Sequence, residues 1–293
     1  MSQQNRATRR RQTRQGDDHR SSGPLIWIVV GVLVVVAAIV GLYASRPQQA
    51  ATGATERVGE AAPQEVWRNL TEIPQDVWEK APVVPATMPM DASSTGNGAP
   101  AANDGSKTRV TYVGAEYCPY CASERWALIA ALSRFGTLTD IYLTTSSATD
   151  VFPNTPTFSF HRARYQSDYV DLQAVEVQGS QEVNGTYPPL GQPTAEQRAL
   201  MQRFNPNGSI PFTVVGDRYV WVGSAISPEP FAGKTWEEIA AAIHSGQGDL
   251  AQQVLAAANT MSAAICSANG GRPEQVCGSQ PVKAALAVLE QGR

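Results

Sequence analysis

Leu25 to Tyr43 reads LIWIVVGVLVVVAAIVGLY, nineteen residues without a charge. Its valines and isoleucines suit a strand, but soluble strands usually run about 3–10 residues. As a helix rising about 1.5 Å per residue, the run matches the ~30 Å hydrocarbon core of a bilayer. It therefore predicts a single transmembrane helix that divides the 293-residue chain into a short tail and a long body.

The flanking charges predict the orientation. Arg6, Arg9, Arg10, Arg11, Arg14 and Arg20 precede the run, and only Arg46 follows it closely. The positive-inside rule then places the N-terminus in the cytoplasm and residues 44–293 outside it, at the cell membrane. Trp27 and Tyr43 stand near the two ends, where interfacial aromatics are favoured. The competing reading is a cleaved signal peptide, whose apolar core would be ~7–15 residues and would end in a small-x-small site. Here the run is longer, and Leu42-Tyr43-Ala44 is a weak cleavage site. Charged residues make up 17% of the chain and apolar residues 42%, enough to bury a core and too polar for a many-pass membrane protein. Beyond residue 24 the chain holds 17 basic and 24 acidic residues, so it makes a poor partner for nucleic acid.

Residues 44–106 read as linker, rich in Ala, Thr, Pro, Gly, Ser and Asn in two stretches. Between those stretches, near 64–80, Val66-Trp67, Leu70, Ile73 and Val77-Trp78 recur at helical intervals around Pro74 and predict a short docked element. Residues 107–293 read as an α/β domain. Thr108 to Val113 is β-rich, and Pro119 to Phe135 is a helix that is apolar over much of its circumference. Thr137 to Thr144 is a second strand, so the three elements predict a βαβ unit. Residues 145–193 read as an insertion or an extended connection, with one strand near Tyr169 to Val177. Thr194-Ala195-Glu196-Gln197 opens a capped helix to about Phe204. Ile210 to Val215 and Arg218 to Val222 flank Gly216-Asp217 as a hairpin. Thr235-Trp236-Glu237-Glu238 opens another capped helix, and Asp249 to Ala268 and Pro281 to Gln291 are two more.

Cys118-Pro119-Tyr120-Cys121 falls where the first strand ends and the long helix begins. A helix N-terminus offers unpaired N–H groups and a positive dipole end, so a thiolate is favoured there. Cys118 would attack, and Cys121, about one turn on, would resolve the mixed disulfide. Arg125 is four residues beyond Cys121 and would add positive potential. Glu116 would oppose the thiolate if ionised, or exchange a proton with Cys121 if buried; both roles stay open. Tyr117 and Tyr120 flank the cysteines and are expected beside a substrate groove, whereas Tyr112 and Phe212 read as core. Two other readings compete. A structural zinc site would need Cys266 and Cys277, because the only histidines are His19, His161 and His244. A purely structural disulfide fits poorly with Pro and Tyr between cysteines at a helix start. Cys266 and Cys277 are separated by a turn-rich loop. Outside the cytoplasm they are expected to pair as a staple, with a second redox pair as the alternative.

The order strand, CPYC, helix, strand, helix, Ile210-Pro211, hairpin, helix resembles the thioredoxin fold. That resemblance implies a central sheet flanked by helices. It also implies that Pro211 is a cis-proline which, with Ile210, binds the substrate backbone beside the CxxC. The Pro-Tyr dipeptide is typical of glutaredoxins, but their glutathione-site residues are not recognisable. More closely, GAEYCPYCASERWALIAALSRFG, DVFPNTPTFSFH and GSIPFTVVGDRYV resemble a family of membrane-anchored thioredoxin-like proteins of unknown function from actinobacteria and some archaea. The expectation is a membrane-tethered, extracytoplasmic thiol–disulfide oxidoreductase of the cell envelope. Its partners would be envelope proteins with thiols or disulfides and a membrane redox partner. No organic cofactor or metal is implied. The rivals are a non-catalytic thioredoxin-like interaction module and a copper or zinc carrier, the latter disfavoured by the lack of nearby histidines.

Overall fold

In the computed structural model of the protein, residues 56–85, 87–92 and 107–291 are described. The basic tail, the predicted membrane run and parts of the linker lie outside them. Among the described residues no helix is long and apolar enough to cross a membrane.

The predicted docked element is two helices, α1 (Gln64–Thr71) and α2 (Gln75–Lys80), separated at Pro74, which cannot continue the first. Their apolar side chains Val66, Leu70 and Trp78 are buried in the main core. Next comes β1 (Met90–Asp91), in a stretch expected to be plain linker. It joins the sheet edge, where Asp91 forms a salt bridge with Arg218 at 2.7 Å. The first predicted strand is β2 (Thr108–Gly114), and the helix after it is α3 (Pro119–Leu132), three residues shorter than expected.

The βαβ expectation needs correction. Thr137 to Thr144 is not one strand but parts of two, β3 (Gly136–Thr139) and β4 (Tyr142–Thr145), and neither joins the main sheet. Asp140, between them, has φ 56° in the left-handed region and breaks the run. β4 pairs with β5 (Pro156–Ser159) and β3 with β6 (Arg164–Ser167), each antiparallel. The parallel partner of β2 is instead β7 (Val170–Glu176), in register from Thr108↔Val170 to Gly114↔Glu176. The strand expected near Tyr169 to Val177 is therefore present, but it belongs to the main sheet, so residues 145–193 are not wholly an insertion outside it. The excursion from the α/β path is the stretch between α3 and β7.

The remaining elements follow the sequence. Helix α4 (Ala195–Phe204) carries the capping box of Thr194 and Gln197. Strands β8 (Phe212–Val215) and β9 (Tyr219–Val222) form the hairpin. Helix α5 (Trp236–Ser245) has its own capping box at Thr235 and ends on Gly246 at φ 69°. Helix α6 (Gly248–Ala268), the short α7 (Glu274–Cys277) and α8 (Gln280–Gln291) complete the chain.

The sheet order is β1-β9-β8-β2-β7, with β2 and β7 parallel and the other neighbours antiparallel. Alternation along the strands sorts side chains to two faces. Val110 and Tyr112 enter the large core with α1, α3, α5, α6 and α8. Val113, Phe212, Val214 and Val220 enter a smaller core against Leu200 of α4. The protein is thus a mixed sheet with helices on both faces. Helix α3 is buried from Cys121 to Leu132, and only Tyr120 in its first turn is exposed. The Trp126 indole N–H donates to Pro156 O at 2.9 Å, and Thr157 Oγ1 donates to Ala122 O at 2.9 Å. These bonds seat the β4–β5 hairpin on α3 and bring residues 146–155 beside the start of that helix.

Candidate active site

Cys118 is the N-cap of α3, and Pro119 fills its first position, where a missing N–H costs nothing. The Cys118 sulfur accepts the Cys121 backbone N–H at 3.3 Å. Cys118 is 7% exposed and Cys121 fully buried; both are free thiols. The Cys121 thiol donates to Cys118, and with the Cys121 N–H it holds the Cys118 thiol below the ordinary range, against the opposing effect of burial. Cys121 is pushed the other way, well above that range, foremost by burial and then by the same thiol–thiol hydrogen bond. One sulfur is therefore reachable and inclined to ionise, while the other is covered and protonated.

β8 enters the sheet at Phe212, opposite Val113 near the end of β2, which brings the residues before it to the dithiol. The Ile210–Pro211 peptide bond is cis. Cys118 Sγ donates to Ile210 O at 3.8 Å, and Pro211 O accepts the Gly223 N–H at 2.8 Å.

Beneath the cysteines lies an ion pair. Arg125 Nε and Nη2 donate to the two carboxylate oxygens of Glu176 at 2.8 and 3.0 Å, and Nη2 also donates to Ala115 O at 2.7 Å. Both side chains are fully buried. Burial pushes the Glu176 carboxyl up, and the guanidinium beside it opposes that shift. The Arg125 charge also favours both thiolates, so the positive potential predicted for it is present, delivered from inside the core. Glu116 is only partly buried. Its carboxylate accepts from Thr144 Oγ1 at 3.3 Å and raises Glu176 by like charge. Glu176, at the C-terminal end of β7, is the fully buried carboxylate whose charge acts on Cys121.

A second buried acid, Glu124, lies one turn beyond Cys121. Its carboxylate accepts from Ala225 N at 2.8 Å, Ser224 Oγ at 3.1 Å and Thr213 Oγ1 at 3.4 Å. Burial raises it to about 7. Sequence reasoning missed both acids. The signal was available for Glu124, because a charged residue within an all-round apolar helix must find partners inside the core. For Glu176 the strand VDLQAVE carries Asp171 and Gln173 as well, so nothing local marked its carboxylate as the buried one.

Tyr117 stacks on Tyr187 with ring centroids 4.5 Å apart, and Tyr120 meets Phe152 edge-on at 6.1 Å. Ser147 N–H donates to Tyr117 O at 2.7 Å, and Tyr187 Oη–H donates to Ser147 Oγ at 2.6 Å. The excursion before β7 and the loop after it thus form walls beside the dithiol. Phe152 and Tyr187 are far from Cys118 along the chain, and no local pattern marks them as its neighbours. As expected for core residues, Tyr112 and Phe212 are fully buried. Cys266 and Cys277 form a disulfide with Cα atoms 5.6 Å apart, which takes them out of any zinc site with the CPYC pair. Among the described residues no group of three His, Cys, Asp or Glu side chains is placed to hold a metal.

Residues 99–192 match the family model of a domain of unknown function, DUF929. The matched segment runs from before β2, through the CPYC and Arg125, to beyond Glu176, and stops short of Pro211. No curated protein matches the chain. No solved structure matches it either.

Proposed function

We propose that the chain is a thiol–disulfide oxidoreductase with a thioredoxin-like domain, tethered to the membrane through residues 25–43 and facing out of the cytoplasm. The observation that carries the reading is the asymmetric dithiol: Cys118 caps a helix and accepts an N–H, while Cys121 lies buried behind it. The parallel β2–β7 pair flanked by an antiparallel hairpin, with Ile210–Pro211 at the entry of that hairpin, supports the thioredoxin-like reading. The Cys266–Cys277 disulfide supports an oxidising compartment.

The chemistry is an exchange. The Cys118 thiolate attacks one sulfur of a client disulfide, forming the Cys118–client bond and releasing the client's other sulfur as a thiolate. Cys121 gives up its proton and attacks Cys118 Sγ. The Cys118–Cys121 disulfide forms, and the second client sulfur leaves. The client gains two electrons and two protons, and the chain loses them; run backwards, the same steps oxidise a client dithiol. Arg125 favours each thiolate as it appears, while Glu176 keeps that cation tolerable in the core. The clients are envelope proteins with thiols or disulfides, and a membrane redox partner resets the pair.

Expressed in its own membrane, Cys121→Ser should accumulate mixed disulfides with other proteins on non-reducing gels, because the fast intramolecular escape is gone. Cys118→Ser should accumulate none. If Cys121→Ser traps nothing, the CPYC pair is not exchanging with clients, and a non-catalytic interaction module becomes the better reading.

A further inference from the structure

Six large apolar side chains are strongly exposed among the described residues, and they are not scattered evenly. Tyr120, 44% exposed, lies between the two cysteines. Val151, 76% exposed, stands next to Phe152, whose ring meets Tyr120. Tyr120 and Val151 thus stand together beside the dithiol.

The loop that presents Val151 is fastened rather than loose. Ser146 Oγ donates to Phe152 O at 2.8 Å and accepts the Thr155 N–H at 2.9 Å, while Thr155 Oγ1 donates to Phe152 O at 3.0 Å. A loop tied on both sides holds its apolar tip in water, where exposure is unfavourable unless something covers it.

Charge supplies the second constraint. The segments bounding the site, residues 114–123, 144–155, 177–192, 207–213 and 222–227, contain Glu116, Asp150 and Glu182 and no lysine, arginine or histidine. Asp150 is close enough to Tyr117 for its charge to act on that phenol. Arg125, the cation beneath, is buried and paired with Glu176. A visitor at Cys118 therefore meets apolar side chains with Asp150 and Glu182 on the bounding loops, whereas Glu116 shares its pocket with His161 and Arg162.

We propose that this rim is a docking surface for one class of partner: an extended, cysteine-bearing polypeptide that is apolar beside its cysteine and positively charged around it. The inference rests on the oxidoreductase reading and adds its client class. The apolar contacts would favour the docked complex, and the carboxylates would draw cationic segments toward it. An acidic or strongly polar client would be discriminated against by the same groups.

The test offers the reduced full-length chain three short peptides, each with one cysteine activated as a pyridyl disulfide. One is apolar and flanked by lysines, one apolar and flanked by glutamates, and one built of glycine and serine with flanking lysines. At low ionic strength the first should react about tenfold faster than the second, and the gap should close near ~1 M salt. The first should also outpace the third by about tenfold, as burial of one or two apolar side chains implies. Asp150→Asn with Glu182→Gln should pull the first ratio toward one, and Val151→Ser with Phe152→Ser the second. Each ratio is read within one variant, so a general loss of reactivity cancels. Equal rates for all three peptides, with neutral dithiodipyridine still consuming Cys118 rapidly, would overturn the docking surface and leave the oxidoreductase reading standing. Ratios unmoved by both variant pairs would overturn the assignment to these residues. If dithiodipyridine and every peptide react only as slowly as with an ordinary buried thiol, both the inference and the reading beneath it fall.

Discussion

Cys118 and Cys121 share one turn of helix and differ in everything that governs a thiol. The first has the helix N-terminus, a donated N–H and a little solvent; the second is fully buried against its partner sulfur, with the charges of Arg125 and Glu176 acting on it in opposite directions. The buried acids show the same dependence on surroundings. Glu176 has a guanidinium, and Glu124 has only neutral donors from Ala225, Ser224 and Thr213, so Glu124 rises to about 7. A carboxyl whose folded value lies above its unfolded one contributes stability that is complete below about 4.5 and lost as pH rises through about 7. The loss is of order ~3 kcal/mol if the whole shift is realised. Glu124→Gln should therefore melt close to wild type at pH ~5 and above it at pH ~8. Thermal midpoints of the two proteins across that range check this. Parallel curves would mean that Glu124 does not titrate in the folded protein.

At the scale of elements, α3 organises the site because it is buried all round. Its N-terminus presents the dithiol, its first turns hold Glu124 and Arg125 inside the core, and its flank receives the β4–β5 hairpin through Thr157 and Trp126. The C-terminal helices brace it: α6 packs along α3, and α8 packs along α6. The Cys266–Cys277 disulfide ties the end of α6 to α7 across eleven residues. Closing a loop of that size removes disorder from the unfolded chain worth about 3 kcal/mol. Replacing both cysteines by serine should lower the thermal midpoint by several degrees, while Cys118 keeps its reactivity toward dithiodipyridine. A midpoint unchanged in non-reducing buffer would show that this link does not stabilise the fold.

For the whole molecule, the proposed tether would give the dithiol a defined compartment. Six arginines before residue 24 and one soon after the apolar run predict that the body lies outside the cytoplasm. An impermeant maleimide applied to intact cells should label a cysteine introduced by Ser93→Cys and not one introduced by Ser2→Cys. The reverse pattern would put the domain in a reducing compartment, at odds with the Cys266–Cys277 link. A tethered oxidoreductase meets clients at a raised local concentration, which suits the modest affinity expected of a small docking rim.

Local signals made much of this fold legible in the chain. The capping boxes at Thr194 and Thr235, the Gly216-Asp217 hairpin, the helix opened by Pro119 and the pairing of Cys266 with Cys277 all stand where their residues imply. Each depends on neighbours a few positions away, or on a single closed loop. The parallel partner of β2 was not legible that way. Thr137 to Thr144 has the composition of a strand and the convenient spacing. One left-handed residue, Asp140, splits it, and the uninterrupted Val170–Glu176 takes the place beside β2. The choice between two β-rich segments is made by competition for one sheet edge, which no window of sequence contains. The site divides in the same manner. CPYC at a helix start already implies a sulfur that accepts a backbone N–H, because the helix supplies its own N–H groups. Glu176 beneath it, Phe152 and Tyr187 beside it and the carbonyl of Ile210 facing it are brought there only by folding. Their effects on the thiols act through space over a few ångströms, and only tertiary structure decides which residues come that close.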